Sequence, residues 1–196
     1  MADRHEPRQH RSQQRRDALL KAAVELMAEG GPPAITHRAV AARAGLPAST
    51  TGYFFASIDE LTTEALRVYT ERSIEDYRAL AGEAAGSPER LPAVFGRRVV
   101  DPQLALAQVS IYLEAQRNPA LREPVREAVD RFRDNATEIL RTFGFPHAST
   151  AGPAFVALLD GFMLQHLAKP DDPPAPEELI HALQALYVGF LHSPQN

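Results

Sequence analysis

The residues best suited to chemistry gather between Thr36 and Tyr53. Thr36, His37 and Arg38 come first, then Pro47, Ala48, Ser49, Thr50, Thr51 and Tyr53. Such a set favours recognition over catalysis. Hydroxyls and a guanidinium on short helices can donate to phosphate oxygens and base edges, and small residues let a helix enter a major groove that bulky apolar groups would block. Elsewhere the titratable residues do not converge. The seven His stand at 5, 10, 37, 147, 166, 181 and 192, with no H-x-x-x-H pair to share a helix face around a metal. Asp160 and His166, six apart, point in different directions on a helix. With no Cys, disulfides, thiolate metal sites and Cys nucleophiles are excluded. No strand-borne Gly-rich loop is present for a phosphate. The expectation is no enzyme, no metal and no cofactor.

The charge is uneven. The net charge is −4, yet residues 1–57 hold eight Lys or Arg against five Asp or Glu, while residues 58–196 hold thirteen against twenty. Only the N-terminal part is basic enough to suit a polyanion. The apolar runs fall short of the roughly 18 to 20 residues that span a bilayer, and the N-terminus lacks the apolar core of a signal peptide. The chain reads as a soluble cytoplasmic protein with no membrane partner.

Helices must position the polar cluster. No segment alternates like a strand and no repeat is present, so the fold class is all-α, with about nine helices separated by Pro, Gly and capping residues. Leu19, Leu20, Ala23, Val24 and Met27 share one face of a first helix over about 12–29. Thr36 caps a second, which ends at Gly45, and Pro47 opens a third, to about Phe54. Ser57 and Glu60 form a capping box that starts a long fourth helix to about Ala81. Further helices are expected near 87–100, 102–117, 119–143 with a kink at Pro124, 150–168 and 177–191. Asp101 and Asn118, each before a Pro, are expected N-caps.

Two short helices meeting at Gly45, with a third behind them, make a helix-turn-helix. Ala41, Ala42 and Ala44 let the backbones cross, and Val40 and Leu46 plug the joint. A plain helical hairpin with solvated hydroxyls has the same local pattern, so the surroundings matter. Residues 18–61 closely resemble the DNA-binding domain of the TetR family of transcriptional repressors. The likeness rests on the three-helix order, T-x-R-x-V-A at Thr36–Ala41, the turn at Ala44–Leu46, the aromatic cluster ending in Phe55, and S-x-D-E-L at Ser57–Leu61. It implies that Thr36 and Arg38 touch phosphates or a base, that Ala48, Ser49, Thr50 and Tyr53 form the recognition face, and that Phe55 is core. The implied organisation is a flexible basic arm at 1–11, the helix-turn-helix domain at 12–57, and a regulatory, ligand-binding and dimerisation domain at 58–196. Where the family often has Tyr, a His or Tyr donor, and Lys, this chain has Gly52, Phe54 and Ile58, each without a phosphate donor. Arg4, Arg8, Arg11, Arg15 and Arg16 of the arm, reaching a minor groove, and the positive N-terminus of the fourth helix are the first candidates to replace them.

The last two helices are apolar around more of their circumference than one core face requires. Phe155, Leu158, Leu159, Phe162 and Met163, with Gly161, mark the first; Leu183, Leu186, Tyr187 and Phe190 mark the second. One side is expected to face the protomer and the other a second copy, giving a homodimer through a four-helix bundle. Its two recognition helices would then stand about 34–36 Å apart on a palindromic double-stranded DNA operator. The middle helices are expected to enclose a small-molecule effector among Tyr69, Phe95, Gln108, Tyr112, Phe162, Gln165 and His166, residues that equally suit plain core. Without a basic cluster on these helices, the effector is expected to be neutral or cationic and largely apolar, with Glu114 available to a cation. The implied function is a repressor released from its operator by an inducer. An activator, an inducer-independent regulator and an adaptor with weakened DNA binding are the alternatives.

Overall fold

The computed structural model describes residues 6–98 and 102–192. Among them there is no strand, and nine α-helices carry the chain. These are α1 (Glu6–Gly30), α2 (His37–Arg43), α3 (Ser49–Phe54), α4 (Ile58–Glu83), α5 (Leu91–Arg98), α6 (Pro102–Arg117), α7 (Arg122–Thr142), α8 (Ala148–Ala168) and α9 (Pro176–Leu191). Short 3-10 turns at Pro32–Ala34, Pro88–Arg90 and Pro119–Leu121 lead into α2, α5 and α7, each opening on a proline whose missing N–H costs nothing in a first turn.

Most expected boundaries stand within a few residues, and the exceptions have physical causes. α1 begins at Glu6, about two turns before the expected start near residue 12. Glu, Gln and Arg from here to Arg16 are good helix formers, and Gln13 donates to Asp17 at 2.8 Å, one turn on. Arg4 and Asp101 lie outside the described residues. Asn118 does act as a cap, accepting from the Ala120 N–H at 3.1 Å, but over a 3-10 turn. α7 therefore starts three residues late, and Pro124 falls in its first turn, where it removes no intrahelical bond and gives no cause for a kink.

The caps around the head (α1 to α3, seated on a body of α4 to α9) are specific. Thr36 Oγ1 accepts the Ala39 N–H at 3.1 Å and starts α2. At the other end Gly45 takes φ 66°, the Leu46 N–H reaches the Ala41 carbonyl at 2.9 Å and the Gly45 N–H reaches Ala42 at 3.2 Å, which is a Schellman closure. Ser57 Oγ accepts the Glu60 N–H at 3.0 Å as expected. The reciprocal half is displaced by one residue: the Glu60 carboxylate takes the N–H of Ala56, at 2.6 Å.

A single apolar cluster runs from head to body. Leu19, Ala23 and Met27 of α1 and Phe55 meet Leu61, Ala65 and Leu66 of α4, Ile111 and Ala115 of α6, and Val125 of α7. With two of its three helices only seven and six residues long, this part of the chain cannot bury enough apolar surface by itself, so α4, α6 and α7 complete its core. The closest approach is at the turn after α1. Gly31, at φ 70°, lies against α6 so tightly that a Cβ there would stand 2.3 Å from Ser110 Cβ.

Gly31→Ala is expected to lower stability by about 2–4 kcal/mol in urea unfolding, combining backbone strain with overpacking. Adding Ser110→Gly should recover the steric part and leave roughly 1 kcal/mol of strain. Equal losses in the single and double variants would show that Ser110 does not limit the approach.

Candidate nucleic-acid interface and ligand cavity

The helix-turn-helix leaves Thr36, His37 and Arg38 exposed at the start of α2, and Pro47, Ala48, Ser49 and Tyr53 exposed along α3 and its approach, with Thr50 half-buried. Tyr53 is 78% exposed and rests edge-on against Phe54, ring centres 4.9 Å apart, so its hydroxyl is held outward. Arg38 has no acidic partner among the described residues, and neither do Arg11, Arg15 or Lys21. Arg43 differs: both its terminal nitrogens bind Glu29, at 2.8 and 2.7 Å, tying α2 to α1 and holding the Glu29 carboxyl below its ordinary range. It is a strut within the head.

Two residues expected to reach DNA, Thr51 and Arg16, serve the head's interior. Thr51 is fully buried and donates its hydroxyl to the His37 carbonyl at 3.3 Å, pinning α3 across α2, so it is not part of an outer face. Arg16 pairs with Glu64 of α4 and lies over the Phe55 ring, 5.1 Å from its centre, which takes it away from a minor-groove role. Phe54 and Ile58 are half-buried against the core, so apolar contact stands where the family often places a phosphate donor. Gly52 is exposed, with open space where a side chain would be. The N-terminus of α4 is also unsuited to a phosphate. Its first turn carries Asp59 and Glu60, and the capping network already occupies the N–H groups of Ala56 and Glu60.

In the body a cavity of about 90 Å³ lies among α4 to α9. Of the residues expected to line it, Tyr69, Phe95 and Gln108 do. Phe162 packs instead with Ala105, Leu179 and Leu183, Gln165 is exposed, and His166 and Glu114 are off the wall. Tyr112 stands one step behind: Gln108 Nε2 donates to its hydroxyl oxygen at 2.6 Å, and its O–H donates to Asp160 Oδ2 at 3.0 Å. Burial, then the charge of Asp160, push the Tyr112 phenol well up, so it remains a proton donor.

The walls that sequence reasoning missed come mainly from α7 and α8. Phe132, Asn135, Ile139, Phe155, Leu159 and Asp160 all face the space, with Ser73 and Tyr77 of α4. Two signals mark them. On α7 the inward series Val125, Ala128, Phe132, Asn135 and Ile139 contains one amide, buried and held by Arg78 Nε at 2.9 Å. Asp160 is the one acid in an otherwise apolar helix, α8. A polar residue set in an apolar stripe marks a site when the stripe borders a cavity.

Asp160 gives a pH prediction. Desolvation by burial raises its pKa from the ordinary 3.8; the Tyr112 hydrogen bond and the charge of Arg133 only partly oppose this. The folded state therefore binds this proton more tightly than the unfolded chain, so its stability falls as pH rises through the raised value. Asp160→Asn should be more stable than the wild type at neutral pH, with the difference fading as the pH is lowered to about 3.8. Denaturant titrations of both proteins between pH 3.5 and 8 would measure it, and a gap independent of pH would contradict the assignment.

Comparisons with known proteins match this geometry. Residues 19–65 match the family model "Bacterial regulatory proteins, tetR family", and residues 82–187 match "Tetracyclin repressor-like, C-terminal domain". The HTH-type transcriptional regulator BetI of Agrobacterium fabrum is 28% identical over 157 residues, covering 78% of this chain and 76% of that one. The HTH-type nicotine-responsive transcriptional repressor HdnoR of Paenarthrobacter nicotinovorans is 27% identical over 175 residues, 81% of this chain and 87% of that one. The multidrug binding protein EbrR complexed with proflavin superposes with a TM-score of 0.60 at 27% identity, over 88% of this chain and 99% of that one. Because one match spans the helix-turn-helix in register and the other more than half the chain, the protein belongs to the TetR family of bacterial transcriptional regulators.

Proposed function

We propose that the protein is a homodimeric, ligand-responsive repressor that binds a near-palindromic DNA site in the cytoplasm and releases it when a small molecule occupies the body cavity. The observation that carries this is the double use of α6. Gln108 lies on the cavity wall, while two residues on Ser110 bears on Gly31 at the base of the head. A ligand that displaces α6 therefore moves a surface on which the head is seated. α4 works alongside it, lining the cavity with Tyr69, Ser73 and Tyr77 and meeting the head through Leu61 and Ala65. Tilt of these helices changes the separation of two heads. Energetically the ligand acts only through its preference for the splayed state; a hundredfold loss of DNA affinity needs about 2.7 kcal/mol of differential binding.

The apolar surplus of α8 and α9 supports the dimer. Phe162, Met163 and Leu183 are buried within the protomer, and Phe155, Tyr187 and Phe190 gather around Phe145, with Tyr187 4.9 Å from it. Leu164, Val188 and Leu191 face outward, 41 to 54% exposed, beside the small residues Ala157, Ala168 and Ala185. Space beside Gly161 and Gly189 would let a second copy approach closely. No helix among the described residues is long and apolar enough to cross a membrane. The cavity favours this reading over a purely dimerising body. The ligand response named for HdnoR and the complex named for EbrR favour it too.

Selection from random genomic fragments is expected to enrich a near-palindromic sequence for the wild type. An Arg38→Ala, Tyr53→Ala double variant should bind it at least about tenfold more weakly. Equal enrichment of the same sequences by both proteins would show that Arg38 and Tyr53 do not recognise the site, and a wild type that enriches no sequence would favour the adaptor reading, motivated by Gly52, Phe54 and Ile58. Leu164→Glu is expected to yield a monomer in analytical ultracentrifugation; an unchanged dimer would place the interface elsewhere.

A further inference from the structure

We propose that the effector is a compact organic monocation, an amine or quaternary ammonium on an apolar or aromatic body, with Asp160 as its counter-ion. This rests on the cavity being the effector site, as proposed above. Asp160 is the only charged residue on the described cavity wall. It forms no ion pair with any Lys or Arg among the described residues, and Arg133 acts on it only at longer range.

The hydrogen bonds around Asp160 are directional. Gln108 donates to Tyr112, and Tyr112 donates to Oδ2, at 2.6 and 3.0 Å. That chain fixes the carboxylate and leaves Oδ1 without a protein donor among the described residues. A half-buried carboxylate on an apolar wall, with one oxygen unmatched by the protein, loses part of its hydration, and a cation completes it. A neutral ligand would leave that cost in place, and an anion would add to it. The surrounding rings suit the same charge. Tyr77 stacks on Phe95 at 5.9 Å and meets Phe132 edge-on at 6.3 Å, so three rings share the cavity wall with the single acid. The volume of about 90 Å³ favours a compact apolar body, and one ring with a short chain enters only as the walls give way.

Three probes with one body and three charges test this: 4-phenylbutylammonium, 4-phenylbutanol and 4-phenylbutyrate, titrated calorimetrically into the full-length protein. The ammonium is expected to bind at least about tenfold more tightly than the alcohol, and the carboxylate more weakly than either. Asp160→Asn should bring the ammonium within about twofold of the alcohol, with the alcohol's own affinity little changed, and Asp160→Glu should retain the preference. The inference is overturned if the alcohol or carboxylate matches the ammonium on wild type, if the ammonium does not bind at millimolar concentration, or if its preference survives Asp160→Asn. Operator binding measured on the same samples separates this from the induction proposed above. Asp160-dependent ammonium binding that leaves operator affinity unchanged upholds the ligand class and overturns induction. Release by the alcohol or carboxylate, but not by the ammonium, overturns the class and leaves induction standing.

Discussion

The head cannot hold itself in place. Its three helices contribute Leu19, Ala23, Met27, Val40 and Phe55 to a core whose other half belongs to α4, α6 and α7. Domains of this size bury too small a share of their surface to be rigid alone. Polar contacts then fix the angle of attachment. Arg16 links α1 to Glu64 and covers Phe55, and Asn118 Nδ2, from the α6–α7 connection, donates to Asp59 at the start of α4 at 2.7 Å. The orientation of α3 is therefore set by how the head is attached to α4, α6 and α7.

Magnitudes show which contacts carry this attachment. Exposed pairs such as Arg126–Glu123 and Arg141–Glu138 contribute about 0–1 kcal/mol each, less in salt. Truncating a buried leucine such as Leu19 or Leu61 costs roughly 2–5 kcal/mol. The shared apolar cluster thus outweighs the surface pairs, and displacement of α4 or α6 is resisted mainly by packing. Packing is also bistable rather than elastic, so a few helices shift together or not at all.

The head was legible in the sequence because its constraints are local. Thr36, Gly45 and Ser57 are a cap, a left-handed closure and a cap, each tied to residues at most five away. Phe55 was legible as core for a similar reason: the aromatic run has one inward position once α3 is placed. Thr51 was not, because a hydroxyl on a short helix suits a groove as well as a carbonyl, and only the crossing of α2 over α3 decides. The cavity was harder still. Its walls come from six helices, and whether Phe162 or Phe155 lines it depends on how α8 is rotated against α7, α6 and α9. Stripes that cover most of a helix leave that rotation undetermined. Residues that interrupt a stripe, Asn135 and Asp160, are the better guide.

The size of the cavity bears on how occupancy would become motion. At about 90 Å³ it is smaller than the roughly 150 Å³ of an apolar protein cavity that admits benzene. A ligand of one ring and a short chain therefore does not fit without displacing walls. α7 is amphipathic and carries Ile139 and Leu140 in buried clusters, and α9 is anchored by Leu179 and Leu183. α6 meets the cavity through Gln108 and the head through Ser110, so its displacement relieves crowding on one side and loosens the seat of Gly31 on the other. Under the proposed mechanism binding is then stronger in the state where the head has moved, which is the one condition under which a ligand shifts the balance between two states.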